Sequence, residues 1–143
     1  MTFDNIKNSI RILPARQLKN YLGRSDVLIF DLRNKSDYDK EHIPGAVWID
    51  IGLLEKDIRR ISARSYITNE DREIFNKKGI RLIILYCDRG NQSIYATRDL
   101  AKLGYPVVSL NGGFEKYRKI NNYCQICLYI IGIKGKNIKK CCI

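Results

Sequence analysis

Three short apolar runs constrain how this chain can fold. They read VLIFDL at residues 27–32, RLIILY at 81–86 and PVVSL at 106–110. Short runs that are apolar almost throughout are typical of strands buried on both faces, as in a parallel sheet between layers of helices. HIPGAVWI, residues 42–49, supplies a turn and a further strand.

The segments between these runs have helical periodicity. Pro14 can begin a helix whose apolar face is Ala15, Leu18, Tyr21 and Leu22. Further helices are predicted over residues 53–61, 69–77, 93–103 and 114–120. Strands that alternate with helices indicate βαβ units, so the predicted fold class is α/β with a parallel sheet covered on both faces.

Two polar residues lie at the ends of the predicted strands. Asp31 is near the end of the first run, and Cys87 directly follows RLIILY. Functional groups gather at the carboxyl ends of parallel strands. We therefore expect Asp31 and Cys87 at the same edge of the sheet.

The loop CDRGNQ, residues 87–92, combines features that favour a bound anion. Gly90 permits a positive φ, so that consecutive N–H groups can point inward as a nest. The next helix adds the positive end of its dipole, and Ser93 can cap it. A thiol here should be stabilised as the thiolate, helped by Arg89 and opposed by Asp88. Cys87 is thus a candidate nucleophile, the alternative being that it fills space under the turn.

The composition fits one soluble domain. The chain has 143 residues, of which 45% are hydrophobic and 29% charged. No apolar run approaches the roughly 18 residues of a membrane span, and the first 25 residues lack a signal-like apolar block. We therefore expect a cytoplasmic protein with no membrane partner. The five cysteines should then be mostly reduced.

Two blocks resemble the rhodanese family of sulfurtransferase homology domains. DLRNKSDYDKEHIPGAVWI, residues 31–49, is similar to the family's Asp-x-Arg, acidic and aromatic pair, and His-Ile-Pro-Gly-Ala block. Residues 86–117 resemble its Cys-x-x-Gly-x-x-Ser loop, the helix after it, and the closing Gly-Gly-x-x-x-aromatic. The resemblance covers about residues 10–120, so residues 1–120 are predicted to form one rhodanese-like domain.

The resemblance implies a five-stranded parallel sheet flanked by helices on both faces. It also implies that Cys87 takes sulfane sulfur from thiosulfate or a persulfide donor, becomes a persulfide, and passes the sulfur to cyanide, a thiol or a protein acceptor. No cofactor and no metal are implied. The substrate-binding residues implied by the loop are Asp88, Arg89, Gly90, Asn91, Gln92 and Ser93.

The loop departs from two related patterns. Phosphatases and arsenate reductases related to this family carry Cys-x5-Arg, whereas Ser93 stands six residues after Cys87, so the arginine that binds phosphate in a bidentate way is missing.

Many active rhodaneses end the loop with arginine, where this chain has Gln92. We expect weak thiosulfate binding or a preference for a persulfide donor, with partial compensation if Arg89 folds over the pocket. A non-catalytic rhodanese-like module that binds an anion or a partner is the competing interpretation.

Other polar residues have simpler explanations. His42, the only histidine, is expected to shape its turn by hydrogen bonding. Asp31 and Arg33 are expected to form a structural pair at the strand end, to which Asp37 or Glu41 could add a charge interaction.

Residues 121–143 form a basic, cysteine-containing extension of unknown role beyond the resemblance. Residues 114–143 hold seven lysines and arginines and one acidic residue, yet a solvated tail is the simpler interpretation and nucleic acid is not expected as a partner. A zinc site, a thiol relay from Cys87 and a loosely packed extension all stay open for its cysteines. These cysteines are Cys124, Cys127, Cys141 and Cys142.

Overall fold

A computed structural model describes residues 2–54 and 79–121 of the chain. Its centre is a sheet of five parallel strands in the order β1-β5-β4-β2-β3. The strands are β1 (Ile12–Leu13), β2 (Val27–Asp31), β3 (Val47–Trp48), β4 (Leu82–Tyr86) and β5 (Val107–Leu110). This arrangement confirms the predicted α/β class and its parallel sheet.

The three apolar runs form the middle of the sheet, as their composition predicts. Strand β4 lies between β2 and β5, and Ile83, Ile84 and Leu85 are completely buried. Alternate side chains of these strands enter two separate core clusters, one on each face of the sheet. Helices therefore cover both faces.

Helices pack around this sheet, and those predicted over 93–103 and 114–120 have bounds close to the prediction. The helices are α1 (Phe3–Ser9), a 3₁₀ helix (Ala15–Asn20), α2 (Lys35–Lys40), a helical stretch at 51–54, α3 (Gln92–Lys102) and a closing helix at 113–121. Pro14 precedes the 3₁₀ helix as its N-cap residue, so the helix that it begins is 3₁₀ rather than α. The predicted helix over 69–77 and most of that over 53–61 lie outside the described residues.

The periodicity of the sequence did not predict two elements at the start of the chain. Helix α1 is seven residues long, and the Thr2 hydroxyl caps it by accepting from the Asn5 N–H at 3.3 Å. Strand β1 has two residues and lies at the sheet edge beside β5. Elements this short contain too few apolar positions to display a period.

Asp31 and Tyr86 are register partners at the ends of β2 and β4. Cys87 follows Tyr86 directly, so Asp31 and Cys87 lie at the same sheet edge, as predicted. Within the described ranges, no helix has both the length and the apolar character that a membrane span requires.

Candidate active site

Cys87 lies where β4 gives way to the loop, and its side chain is only 2% exposed. Its Sγ accepts hydrogen bonds from the backbone N–H of Gly90 at 3.2 Å and of Ser93 at 3.4 Å. Gly90 has φ +90°, a conformation that glycine adopts without strain. A Cβ at this position would also lie 3.0 Å from the Gly112 nitrogen. The loop therefore turns two N–H donors toward one sulfur atom, an arrangement that favours negative charge there.

The six loop residues predicted to bind substrate divide into two groups. Gly90 and Ser93 are buried against the sulfur. The side chains on the solvent side are those of Asp88, Arg89, Asn91 and Gln92. Only the first group contacts Cys87 Sγ through hydrogen bonds in the described structure.

Ser93 does not cap the helix as the sequence suggested. Helix α3 begins one residue earlier, at Gln92, and its N-cap residue Asn91 makes no side-chain capping bond. Ser93 is inside the first turn with its hydroxyl buried, 3.6 Å from Cys87 Sγ and 2.7 Å from Ser109 Oγ. The cysteine loop leads directly into the helix, so the Ser93 side chain is free to contact the sulfur instead of the helix end.

Ser109 is a polar residue of the site that the sequence reasoning did not find. It belongs to β5, is 1% exposed, and contacts Ser93. The available signal was its position in PVVSL, where a hydroxyl interrupts an otherwise apolar strand. A buried hydroxyl must find a partner, so such a serine indicates a polar contact inside the core.

The closing helix at 113–121 packs against the cysteine loop and donates hydrogen bonds to its backbone. Its first turn donates from the Phe114 N–H to the Cys87 carbonyl at 2.9 Å and from the Glu115 N–H to the Asp88 carbonyl at 3.0 Å. In a trans peptide the N–H points opposite to the C=O. The N–H groups of Asp88 and Arg89 therefore point away from this helix.

Gly113 makes this close approach possible. A Cβ on Gly113 would lie 2.4 Å from the Cys87 carbonyl oxygen and 2.7 Å from that of Asp88. Both distances are far below van der Waals contact, and both atoms belong to the backbone. The glycine pair of the closing motif thus sets the position of the loop that surrounds the sulfur.

A buried polar network fixes the sheet edge beside the loop. Asp31 is 0% exposed and accepts from Arg33 Nη2 at 2.8 Å and from the Tyr86 hydroxyl at 2.6 Å. Tyr86 in turn accepts from the Ile43 N–H at 3.2 Å, and Arg33 also donates to the Glu41 carbonyl at 2.6 Å. The expected structural pair of Asp31 and Arg33 is confirmed, with the Glu41 contact made through its backbone.

The environment of this network shifts two pKa values. Burial lowers the pKa of Arg33, but the hydrogen bonds and charge of Asp31 outweigh this, so the net shift is upward. Burial, followed by the hydrogen bond to Asp31, raises the pKa of Tyr86 far above its usual range. Arg33 therefore stays charged and Tyr86 stays a neutral donor.

A cavity of about 470 Å³ opens beside the loop. Its lining residues are Arg33, Asp37, Asp88, Arg89, Phe114, Glu115, Arg118 and Lys119. Arg89 is 79% exposed and its Nε lies 3.3 Å from Glu115, which also pairs with Lys119 at 3.3 Å. Arg89 thus borders the cavity in a solvent-exposed ion pair with Glu115.

His42 has the turn-shaping contacts that were expected of it. Its Nδ1 lies 2.8 Å from the Tyr38 carbonyl, and its ring stacks on the Tyr38 ring at 3.9 Å. No group of three or more potential metal ligands occurs within residues 2–54 and 79–121. The four cysteines of the extension lie outside the described residues.

Comparison with known proteins identifies the family. The family model of the rhodanese-like domain matches residues 14–120. The chain therefore belongs to the rhodanese-like domain family, as the motifs indicated.

Individual relatives place the chain near sulfurtransferases. It is 34% identical over 110 residues to SseA of Mycobacterium leprae, provisionally named a thiosulfate sulfurtransferase, covering 72% of this chain and 36% of SseA. It is 27% identical over 96 residues to the thiosulfate sulfurtransferase GlpE of Coxiella burnetii, covering 66% of this chain and 75% of GlpE. The match thus spans about a third of SseA but most of GlpE.

A solved structure from Rhodopseudomonas palustris shares the fold. It is 28% identical, with a TM-score of 0.63, covering 82% of this chain and 86% of that one. That protein is described as of unknown function and a possible tyrosine phosphatase.

Proposed function

We propose that this chain is a sulfurtransferase that carries sulfane sulfur as a persulfide on Cys87. The observation that supports this most directly is the pair of N–H donors, on Gly90 and Ser93, within 3.4 Å of Cys87 Sγ. Such donors stabilise the Cys87 thiolate before it attacks a donor and again when it departs from the persulfide. The family relatives named sulfurtransferases support the same class.

The reaction has two balanced steps. The Cys87 thiolate attacks the outer sulfur of thiosulfate, the S–S bond of the donor breaks, and sulfite leaves with the bonding electron pair. The enzyme then holds Cys–S–S⁻. A thiophilic acceptor such as cyanide attacks the terminal sulfur and leaves as thiocyanate, and the electron pair of the broken S–S bond returns to Cys87 as thiolate.

Mass spectrometry of the full chain tests this proposal. After incubation with thiosulfate, or with a small-molecule persulfide, the protein should gain the mass of one sulfur atom, and cyanide should remove it. Because the chain has five cysteines, the adduct must be assigned to a peptide, and it should fall on the one that contains Cys87. If neither donor gives an adduct at Cys87, the proposal is wrong and the non-catalytic module is favoured.

The exposed side chain of Gln92 bears on the choice of donor. Gln92 carries no charge, and the Arg89 charge beside the cavity is paired with Glu115. Gln92→Arg should lower the KM for thiosulfate by about threefold, as expected of one added charge near a solvated dianion. The matched measurement uses a singly charged persulfide donor, whose KM should fall by less than that of the thiosulfate dianion. Equal KM values for thiosulfate before and after the substitution would contradict this role for Gln92.

Gly113 should control the rate at which Cys87 accepts sulfur. In Gly113→Ala the new methyl group must push the Cys87 and Asp88 carbonyls outward, since it would otherwise lie 2.4 Å and 2.7 Å from them. A displacement of reacting groups by about 1 Å costs about 100-fold in rate. We expect a loss of that size in the rate of persulfide formation, measured by rapid quenching and mass spectrometry.

Gly104→Ala is the matched control for this substitution. Gly104 also has a positive φ, +90°, but nothing lies within 4 Å of its Cβ position. It therefore imposes backbone strain with no collision, and it should leave the rate almost unchanged. Melting curves of both variants establish the folded fraction at the assay temperature. Equal rates for folded Gly113→Ala and Gly104→Ala would show that the Gly113 contact does not position the loop.

Phosphatase activity is the alternative suggested by the description of the R. palustris protein. Here the sixth residue after Cys87 is Ser93, so the loop lacks an arginine at that position. The Ser93 hydroxyl instead lies 2.7 Å from Ser109 Oγ. An aryl phosphate should therefore not be hydrolysed at a Cys87-dependent rate. Hydrolysis that disappears in Cys87→Ser would favour the phosphatase.

A further inference from the structure

Three buried side chains, those of Cys87, Ser93 and Ser109, are in contact one after the other from the loop into the sheet. Cys87 Sγ lies 3.6 Å from Ser93 Oγ, and Ser93 Oγ lies 2.7 Å from Ser109 Oγ. The three residues are 2%, 0% and 1% exposed. Ser109 is on β5 next to Leu85 of β4, so its backbone is fixed by the sheet.

The direction of the hydrogen bonds among Cys87, Ser93 and Ser109 can reverse. Either hydroxyl can donate in the contact between Ser93 and Ser109. When Cys87 is a thiol, its S–H can donate to Ser93, which then donates to Ser109. When Cys87 is a thiolate, it needs a donor, so Ser93 must turn its hydrogen to the sulfur and accept one from Ser109. Both O–H bonds stay intact and only rotate, while the thiol proton goes to water.

We propose that Ser109 is a positioning residue that holds the Ser93 hydroxyl as a donor to the Cys87 thiolate. This inference rests on the proposed function of Cys87 as the nucleophile. The thiolate attacks in the loading step and departs in the unloading step. In the persulfide the charge lies on the outer sulfur, so the Ser93 hydrogen bond to Sγ favours the thiolate over the loaded state. Ser109 therefore assists unloading most directly.

Alkylation of Cys87 by iodoacetamide tests this hydrogen-bond relay, from Ser109 through Ser93 to Cys87, without requiring sulfur transfer. The rate is followed across pH in the full chain, with Cys87 modification resolved by peptide mass spectrometry. Ser109→Ala should reduce the rate at neutral pH about fivefold and move the half-maximal pH upward, as expected for the loss of about one hydrogen bond. Differences in access to the buried sulfur change the plateau of such a curve but not its midpoint.

The charged groups around Cys87 are the same in every variant. Those that line the adjacent cavity or lie at the strand ends are Asp31, Arg33, Asp37, Tyr86, Asp88, Arg89, Glu115, Arg118 and Lys119. Their effects on the midpoint therefore cancel in the comparison. The variants themselves remove only neutral hydroxyls.

A double-mutant cycle separates a relay from a simple structural effect. If Ser109 acts through Ser93, then Ser109→Ala should change the rate by less than about twofold in a Ser93→Ala background. Thr97→Val is the matched control, because the buried Thr97 hydroxyl bonds to the Ser93 carbonyl at 2.7 Å and not to its side chain. Thr97→Val should leave the midpoint unchanged. Melting curves confirm that each variant is folded.

Two results would overturn the relay. One is an unchanged midpoint in Ser109→Ala. The other is an effect of Ser109→Ala that is equally large with and without Ser93. Rates of sulfur removal by cyanide should show the same coupling. If alkylation shows the coupling and no donor loads Cys87, then the relay stands and the proposed sulfurtransferase function is what has failed.

Discussion

Replacing Cys87 by serine should lower the rate of sulfur transfer to cyanide by at least about 10⁴-fold, the scale on which nucleophile deletions act. Serine fits the space of the 2%-exposed cysteine, and it keeps the N–H donors of Gly90 and Ser93 in place. Its hydroxyl is a far weaker acid and a poor nucleophile toward sulfur, so no persulfide can form. Thiocyanate production at saturating donor measures the effect.

Cys124→Ser and Cys127→Ser are the controls for this experiment. They remove thiols of the same chain that could relay sulfur. If Cys87 alone carries the sulfur to cyanide, both variants should keep the wild-type rate. Substantial thiocyanate production by folded Cys87→Ser would contradict the proposed mechanism.

The central strands of the sheet and the position of the cysteine could be predicted from local sequence. Val27–Asp31 and Leu82–Tyr86 are short, apolar and followed by polar turns, so their nature as buried strands follows from composition. Once both are parallel, Asp31 and Cys87 must share an edge. The convergence of backbone N–H donors on the Cys87 sulfur was also predictable, because Gly90 and the start of the helix act through backbone groups close in sequence.

The contacts that complete the site could not be predicted in this way. Ser109 contacts Ser93 across 16 positions of sequence, and its partner depends on how β5 packs beside α3. The hydrogen bonds from Phe114 and Glu115 to the loop likewise depend on where the closing helix docks. Such contacts follow from tertiary packing, and no local period or propensity encodes them.

Substitution of Arg33 by leucine should destabilise the fold by about 3–5 kcal/mol, since it leaves a buried charge without its partner. The side chains of Arg33 and Asp31 are only 5% and 0% exposed. Arg33 also donates to the Glu41 carbonyl and lies 3.9 Å over the Phe114 ring, so its loss weakens the contact with the closing helix. Chemical denaturation measures the change in the free energy of unfolding.

Arg24→Leu is a control of nearly identical chemistry in a different environment. Arg24 and Asp26 are also two positions apart, with Nε–Oδ1 and Nη2–Oδ2 distances of 2.9 Å and 2.7 Å. That pair is exposed to solvent, so its loss should barely change the denaturation midpoint. In the Arg33→Leu background, Asp31→Asn should restore part of the lost stability, because an amide carries no charge to bury. Equal effects of Arg33→Leu and Arg24→Leu would contradict the expected stabilisation by the buried pair. A large loss in Arg33→Leu with no recovery on Asp31→Asn would assign that loss to packing of the arginine stem instead of the buried charge.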